Sequence, residues 1–301
     1  MAELSKDFNN FHDRIALANG QKESLRKSRN AIRDRIRQYF KEIIKVTSPR
    51  FYMQGSFAMG TTLNPLDGEF DIDDGVYLQH LDENDNSNWP GPDTVHQWIV
   101  KATDGHTKEK PMDKRTCVRV RYAGQYHVDL PIYAKYLDEQ RLAEKGENGW
   151  HQSDSKALTD WFISQVNNKG EQLRRTVRFI KAWADFQSGR RGKMPSGLIL
   201  TVLAVEKFRL DEKDDISLSK TVARISDAVK SLFTVFNPID GTEMTVNMPP
   251  SFGGDNLVTV FQLLKVKTMK NKKRKMWPNL RLFIPQKIHP NLGGIANGKL
   301  V

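Results

Sequence analysis

The sequence predicts an α+β protein: a mixed-sheet half with N-terminal helices over residues 1–150, then a helical half over residues 151–301. Three observations carry this. Strand signals gather between residues 50 and 131, where Val118-Arg-Val-Arg-Tyr122 alternates strictly, as a half-buried strand does. From about residue 150 the apolar spacing turns helical and clear strand signals stop. Ahead of both, Leu25, Ala31, Ile32, Ile36, Phe40 and Ile43 recur at helical spacing, with Arg26, Arg29, Arg33 and Arg37 on another face. Strands followed by a run of helices is the α+β order.

The elements follow in sequence. The N-terminal segment reads as two helices, the second stopped by Pro49, which cannot continue the hydrogen-bond ladder. Arg50 to Gln54 reads as a strand entering a Gly55-Ser56 turn, and Val76 to Leu78 as a strand directly after Asp71-Ile-Asp-Asp74. Residues 81–93 are turn-rich. Thr94 to Ala102 is helical, with Val95, Trp98, Ile99 and Ala102 on one face. Gly124 turns the 118–122 strand back into Tyr126 to Leu130, which Pro131 ends. Helical periodicity then covers 154–167, 171–187, 195–208, 217–235 and 254–269, and no internal repeat is found.

Composition removes several classes. The single cysteine, Cys117, rules out an internal disulfide framework and fits a reducing compartment. The longest apolar stretch, Gly197 to Val205, is too short to cross a bilayer, and the N-terminus has no apolar core for a secretory signal. A cytoplasmic protein without a membrane partner is expected. The net charge of +11 invites nucleic-acid binding, but it is unevenly spread. Residues 1–50 carry +6, residues 51–100 hold no Lys or Arg and carry −9, and the remainder carries +14. An acidic island inside a basic chain suits a cation site walled by groups that hold a polyanion.

That island holds Asp71-Ile72-Asp73, and a further acid, Asp129, lies in a later strand. Strand alternation puts Asp71 and Asp73 on one face with Ile72 opposite. Like charges so close disfavour joint ionisation. A divalent cation reverses that penalty, since Mg²⁺ takes one or two carboxylates plus substrate phosphates. Asp129 from a neighbouring strand would complete a two-metal site. The other reading is an ordinary acidic turn. Gly55-Ser56 offers close backbone approach and a hydroxyl, as phosphate-holding turns need, though such pairs also serve as plain turns.

Gln54-Gly-Ser-Phe57, Glu69-Phe-Asp-Ile-Asp-Asp-Gly75 and His127-Val-Asp-Leu-Pro131, in that order, resemble the polymerase-β-type nucleotidyltransferase core. More narrowly they resemble the cGAS/DncV-like nucleotidyltransferases, the bacterial CD-NTases, and within them the makers of cyclic GMP-AMP. Ser153-Asp-Ser-Lys156, Asp160-Trp-Phe162, Leu173 to Trp183 and Pro195-Ser196 agree, and the likeness runs from about Leu25 to Val205. It implies a mixed sheet with a long N-terminal helix, a helical domain, and an active site in the cleft between them. It further implies a monomeric synthase of a cyclic oligonucleotide, foremost a cyclic dinucleotide, from ATP and/or GTP. The product would be a second messenger in anti-phage defence, reaching a separate effector, with regulatory proteins as partners and nucleic acid not required. The alternative is a nucleotidyltransferase acting on RNA or another acceptor, with the basic run Lys265–Lys275 as its RNA contact. A third, a non-enzymatic binding module, has no need of three converging acids.

Residue by residue, the resemblance implies that Asp71 and Asp73 hold two Mg²⁺ ions, or Mn²⁺ in their place, and that Asp129 holds the ion beside the attacking hydroxyl. Gln54, Gly55 and Ser56 would meet the triphosphate and sugar, Lys181 the β/γ-phosphates, and Ser196 the phosphates from a helix cap. Gly197 departs from the pattern, standing where these proteins place another hydroxyl. Arg119 would contact nucleotide, or be an outward arginine on an edge strand. Ser153-Asp154 would read a base edge, since an Asp can accept from guanine N1–H and N2–H, or would equally be a helix N-cap. Arg174, Arg178 and Lys181 form a basic stripe that read alone is a solvated face. Arg29, Arg33, Arg37 and Arg50 would form a basic surface for folate-like molecules, or pair with the acidic island. His127 reads as a strand residue beside the site.

Overall fold

A computed structural model describes residues 5–64, 69–122, 126–191, 194–231 and 234–244. Helix α1 spans Ser5–Ile15 and α2 Asn19–Tyr39, the latter running into a π-helical turn, Phe40–Ile44, that Lys45 ends in the left-handed conformation at φ 62°. The strands are β1 (Arg50–Gln54), β2 (Phe70–Leu78), β3 (Met112–Asp113), β4 (Val118–Tyr122), β5 (Tyr126–Leu130), β6 (Ile132–Tyr136), β7 (Glu139–Glu144) and β8 (Gly149–Gln152). Helix α3 is the short turn Gly55–Ala58, and α4 spans Pro92–Thr103.

Strand β2 is the centre. It pairs antiparallel with β1 and parallel with β5 and β6. Phe70 faces Tyr126 and Val76 faces Ile132, the same offset, so β5 and β6 are one line alongside β2 that Pro131 interrupts. The expected end at Pro131 is therefore only a break. Its carbonyl still accepts from the Val76 amide at 2.8 Å, while proline contributes no donor. β4 then pairs with β5, and β7 with β6.

Alternation sorts the two faces of the sheet. Ile72, Val76, Val118, Val128 and Leu130 point to a core closed by Leu25, Ile32 and Ile36 of α2, the adjoining Phe40, and Val95 and Ile99 of α4. All of these are fully buried, each burial being worth about 1.5–3 kcal/mol. Asp71, Asp73, His127, Asp129, Arg119 and Arg121 lie on the opposite face.

The helical half comprises α5 (Ser155–Lys169), α6 (Glu171–Arg191), α7 (Gly197–Lys207) and α8 (Asp214–Ser231). Helix α7 carries the longest apolar stretch and is buried from Ile199 through Val205, the mark of a central helix. Among the described residues no helix is long and apolar enough to cross a membrane. Helix α1 packs here rather than on the sheet. Phe8 meets Phe179 edge-on at 5.2 Å, and Phe11 stacks on it at 5.7 Å. The division expected at residue 150 is thus crossed by the chain's first helix.

Strands β7 and β8 were not foreseen, and α8 ends at Ser231, with a short strand, Val235–Phe236, where the helix was expected to continue. The expected Gly124 turn, the 254–269 helix and the basic run Lys265–Lys275 lie outside the described residues.

Candidate active site

The site is built in rows across the sheet. Asp73 on β2 lies between Gln54 of β1 and Asp129 of β5, and Asp129 faces Arg119 of β4. One row on, Asp71 faces His127, which faces Arg121. The period of two that buries Ile72 and Val128 puts Asp71, Asp73 and Asp129 together.

Asp73 is the strained member. Burial, then the charges of Asp71 and Asp129, hold its carboxyl well above the usual carboxylate range, with Arg119 and Lys181 opposing weakly. Gly55 explains how close the backbone comes. It sits at φ +67°, and a Cβ there would lie 2.2 Å from Asp73 Oδ2. Only glycine fits beside this carboxylate.

Arg119 closes the row. Its Nε and one terminal nitrogen donate to both oxygens of Asp129, each at 2.7 Å, a bidentate pair. In this structure Arg119 serves the acid rather than being left free for a nucleotide. Glu69 supports the neighbouring row: Arg121 donates to its carboxylate at 2.7 Å, and His127 Nδ1 lies 3.2 Å from it. His127 stands beside the site as expected, with Nε2 3.9 Å from Asp129.

Helices supply the opposite wall. Lys181 of α6 donates to the Thr61 carbonyl at 3.2 Å. Burial lowers its ammonium to about 8, partly offset by Asp71 and Asp73. Its chain folds over Gly197, where a Cβ would lie 3.1 Å from Lys181 Cε. The glycine that departs from the expected hydroxyl thus gives the lysine its room. An open cavity of about 300 Å³ is lined by Ser56, Thr62, Glu69, Asp71 and Lys181. A second, of about 200 Å³, shares Ser56, Lys181 and Gly197 and reaches Ser155 and Thr201.

Ser56 lines both cavities, with its Oγ 2.9 Å from Thr62 Oγ1. Gln54 does not. Its amide donates to the Tyr133 hydroxyl at 3.0 Å and accepts from Tyr77 at 3.3 Å. The side chain is buried among tyrosines, not offered to a sugar or phosphate, and Tyr77 and Tyr133 stack at 4.8 Å. Asp154 caps α5, accepting from the Ala157 amide at 2.8 Å, with Ser153 beside it. Ser196 caps α7 through Ile199 at 3.3 Å. Arg33 forks onto the buried Asp74 at 2.5 and 2.7 Å, and Arg37 lies over the Phe51 ring. Arg29 donates to Met53 Sδ. Two of the basic N-terminal residues therefore hold structure: Arg33 through an ion pair with the acidic island, Arg37 through a cation–π contact. Thr62, Glu69 and the tyrosine cluster carried no local signal that assigned them a role; Glu69 stood only inside the acidic motif.

The donor set suits a hard divalent cation, being all carboxylate oxygen. Among the described residues no three His, Cys, Asp or Glu side chains are grouped as ligands of one ion. Asp129 is drawn instead to Arg119. Asp71 and Asp73 are the pair that would hold a metal bringing its own phosphate and water ligands.

Residues 49–133 match the family model described as "Cyclic GMP-AMP synthase DncV-like, nucleotidyltransferase domain". A cyclic GMP-AMP synthase of Escherichia albertii is 28% identical, over 80% of this chain and 55% of its own length. One from Vibrio cholerae is 26% identical, over 68% of this chain and 58% of its own. The chain thus spans little more than half the length of these curated relatives. The crystal structure of Vibrio cholerae DncV with nonhydrolyzable GTP superposes with a TM-score of 0.77 at 21% identity, covering 95% of this chain and 97% of that one.

Proposed function

We propose that this chain, whose residues 49–133 form a cGAS/DncV-like nucleotidyltransferase domain, is a synthase that joins ATP and/or GTP into a cyclic dinucleotide of the cyclic GMP-AMP kind. The observation that carries the reading is the row Asp73–Asp129–Arg119, with Asp71 beside it lining one cavity together with Ser56 and Lys181. A binding module has no use for a half-buried carboxylate crowded by two others, Asp71 and Asp129. The relatives' names supply the product class. The product would act as a second messenger in bacterial anti-phage defence through a separate effector.

In this reading Asp71 and Asp73 hold Mg²⁺, which when bound neutralises the acids and the α-phosphate. Arg119 holds Asp129 aimed along the row through its bidentate contact, where Asp129 accepts the proton of the attacking ribose hydroxyl. That hydroxyl oxygen bonds to the α-phosphorus of the second nucleotide as the bond to pyrophosphate breaks. Lys181 and Ser56 hold the departing pyrophosphate. A second transfer closes the ring.

Pure protein with labelled ATP and GTP and Mg²⁺ tests this. Pyrophosphate and a phosphatase-resistant product, sized by mass spectrometry, are expected. No product under any nucleotide mixture overturns the reading, and extension of added RNA moves the chain to another class of transferase.

A further inference from the structure

The basic stripe of α6 is half-buried against the loop after α3 rather than a fully solvated face. Arg174, Arg178 and Lys181 stand at i, i+4 and i+7, one face of a helix. They donate to three consecutive carbonyls: Arg174 Nε to Met59 at 2.9 Å, Arg178 Nε to Gly60 at 2.8 Å, and Lys181 Nζ to Thr61 at 3.2 Å. Each arginine is fixed at its far end as well. Arg174 also donates to Glu171 on its own helix, and Arg178 meets His12 of α1. The loop is pressed close, since a Cβ on Gly60, at φ +68°, would lie 3.2 Å from Arg174 Cδ.

The clasped loop is the back of the site. The Thr61 amide donates to the Ser56 carbonyl at 2.8 Å, the Met59 amide to that of Gly55 at 3.0 Å, and Thr62 meets Ser56 side chain to side chain. Moving carbonyls 59–61 therefore moves both hydroxyls of the cavity wall. The three rungs differ in kind. Each guanidinium gives its Nε–H to the loop and a terminal nitrogen to an anchor outside it, whereas the Lys181 ammonium is a point charge at the cavity edge that can turn to a phosphate.

We propose that Arg174 and Arg178 are positioning residues that hold loop 59–62 in register on α6, so that Ser56 and Thr62 stay opposed to Lys181 when it leaves the Thr61 carbonyl for a triphosphate. This rests on reading the cavity as the triphosphate site. The arginines act through backbone carbonyls and touch no substrate.

The test pairs kinetics with amide hydrogen exchange on the full chain. Arg174→Gln with Arg178→Gln is expected to raise KM for ATP and GTP by about tenfold or more with a smaller change in kcat, since small misplacements of binding groups are costly. Exchange over residues 59–62 should quicken. Arg178→Lys, which keeps the charge but loses the fork, should fall between and guards against a double variant that does not fold. Arg175→Gln, which removes the Asp214 pair at 2.6 Å on the same helix, should leave KM and loop exchange unchanged. Unaltered loop exchange in a folded Arg174 and Arg178 variant overturns the proposal, as does unaltered KM. If the wild-type chain releases no pyrophosphate, the functional reading falls by itself, and the exchange result alone then decides whether the arginines hold the loop.

Discussion

At the residue scale the site turns on a glycine and an acid. Gly55 combines a left-handed backbone with a side-chain position 2.2 Å from Asp73 Oδ2. Gly55→Ala is expected to abolish pyrophosphate release and to lower unfolding free energy by about 1–3 kcal/mol for the backbone strain alone, read by urea melts. Asp73 has its folded-state pKa raised above the unfolded value. The protonated form is thus favoured by folding, and its contribution to stability, full below the ordinary carboxylate range, is lost as pH rises through the raised value. Asp73→Asn should therefore be inactive yet more stable than wild type at pH 7, with the gap closing as pH falls below about 4. A variant less stable than wild type at both pH values contradicts the burial of a repelled charge. Of these residues the acids were legible because their alternation with Ile72 is a local pattern. Gln54 was misread because its partners, Tyr77 and Tyr133, are distant in sequence, and no local spacing shows that they claim its amide.

At the element scale, what the sequence showed depended on period. Helices α4 to α6 are legible because their apolar stripes repeat every three to four residues, and α7 because its apolar run is too long for a typical strand. Strand β7, Glu-Gln-Arg-Leu-Ala-Glu, is polar at its start and has no such signature; β6 and β8, which flank it, define it. Pro131 reads as an end in one dimension and is a mere break in the sheet. The cap of α5 shows a residue with two readings and one observed contact. Asp154→Ala should cost about 1 kcal/mol of stability, whereas Asp154→Asn keeps the cap and should leave the melting temperature unchanged. If Asp154 also reads guanine, Asp154→Asn alone should shift nucleotide use away from GTP in a competition assay. An unshifted ratio leaves it a cap only.

At the scale of the whole molecule, the −9 segment divides in two. Asp71 and Asp73 lie on the site face of the sheet, while Asp74 meets Arg33, Glu69 meets Arg121 and Glu83 meets Lys135. Much of the charge contrast along the chain is thus spent in pairs between distant segments, which net charge does not reveal. The buried Arg33–Asp74 pair ties α2 to β2 beneath the acids and is costly to split. The two halves meet at the Gly55–Thr61 stretch: the Gly55 amide donates to Thr159 of α5 at 3.1 Å, and α6 clasps the carbonyls that follow. Next to this joint lie the stacked Tyr77 and Tyr133, the latter donating to Ser155 of α5 at 3.1 Å. Their hydroxyls resist ionisation because burial disfavours the phenolate, and Tyr122 is likewise pushed up to about 12. Of the chain's 7 tyrosines, these three should then ionise late in an alkaline absorbance titration. All should titrate together near pH 10 once the chain is denatured. A single early transition in the folded protein would be incompatible with the stack. The pair thereby gives the junction between sheet and helices an intrinsic near-ultraviolet signal, through which loosening of that junction is read without a label.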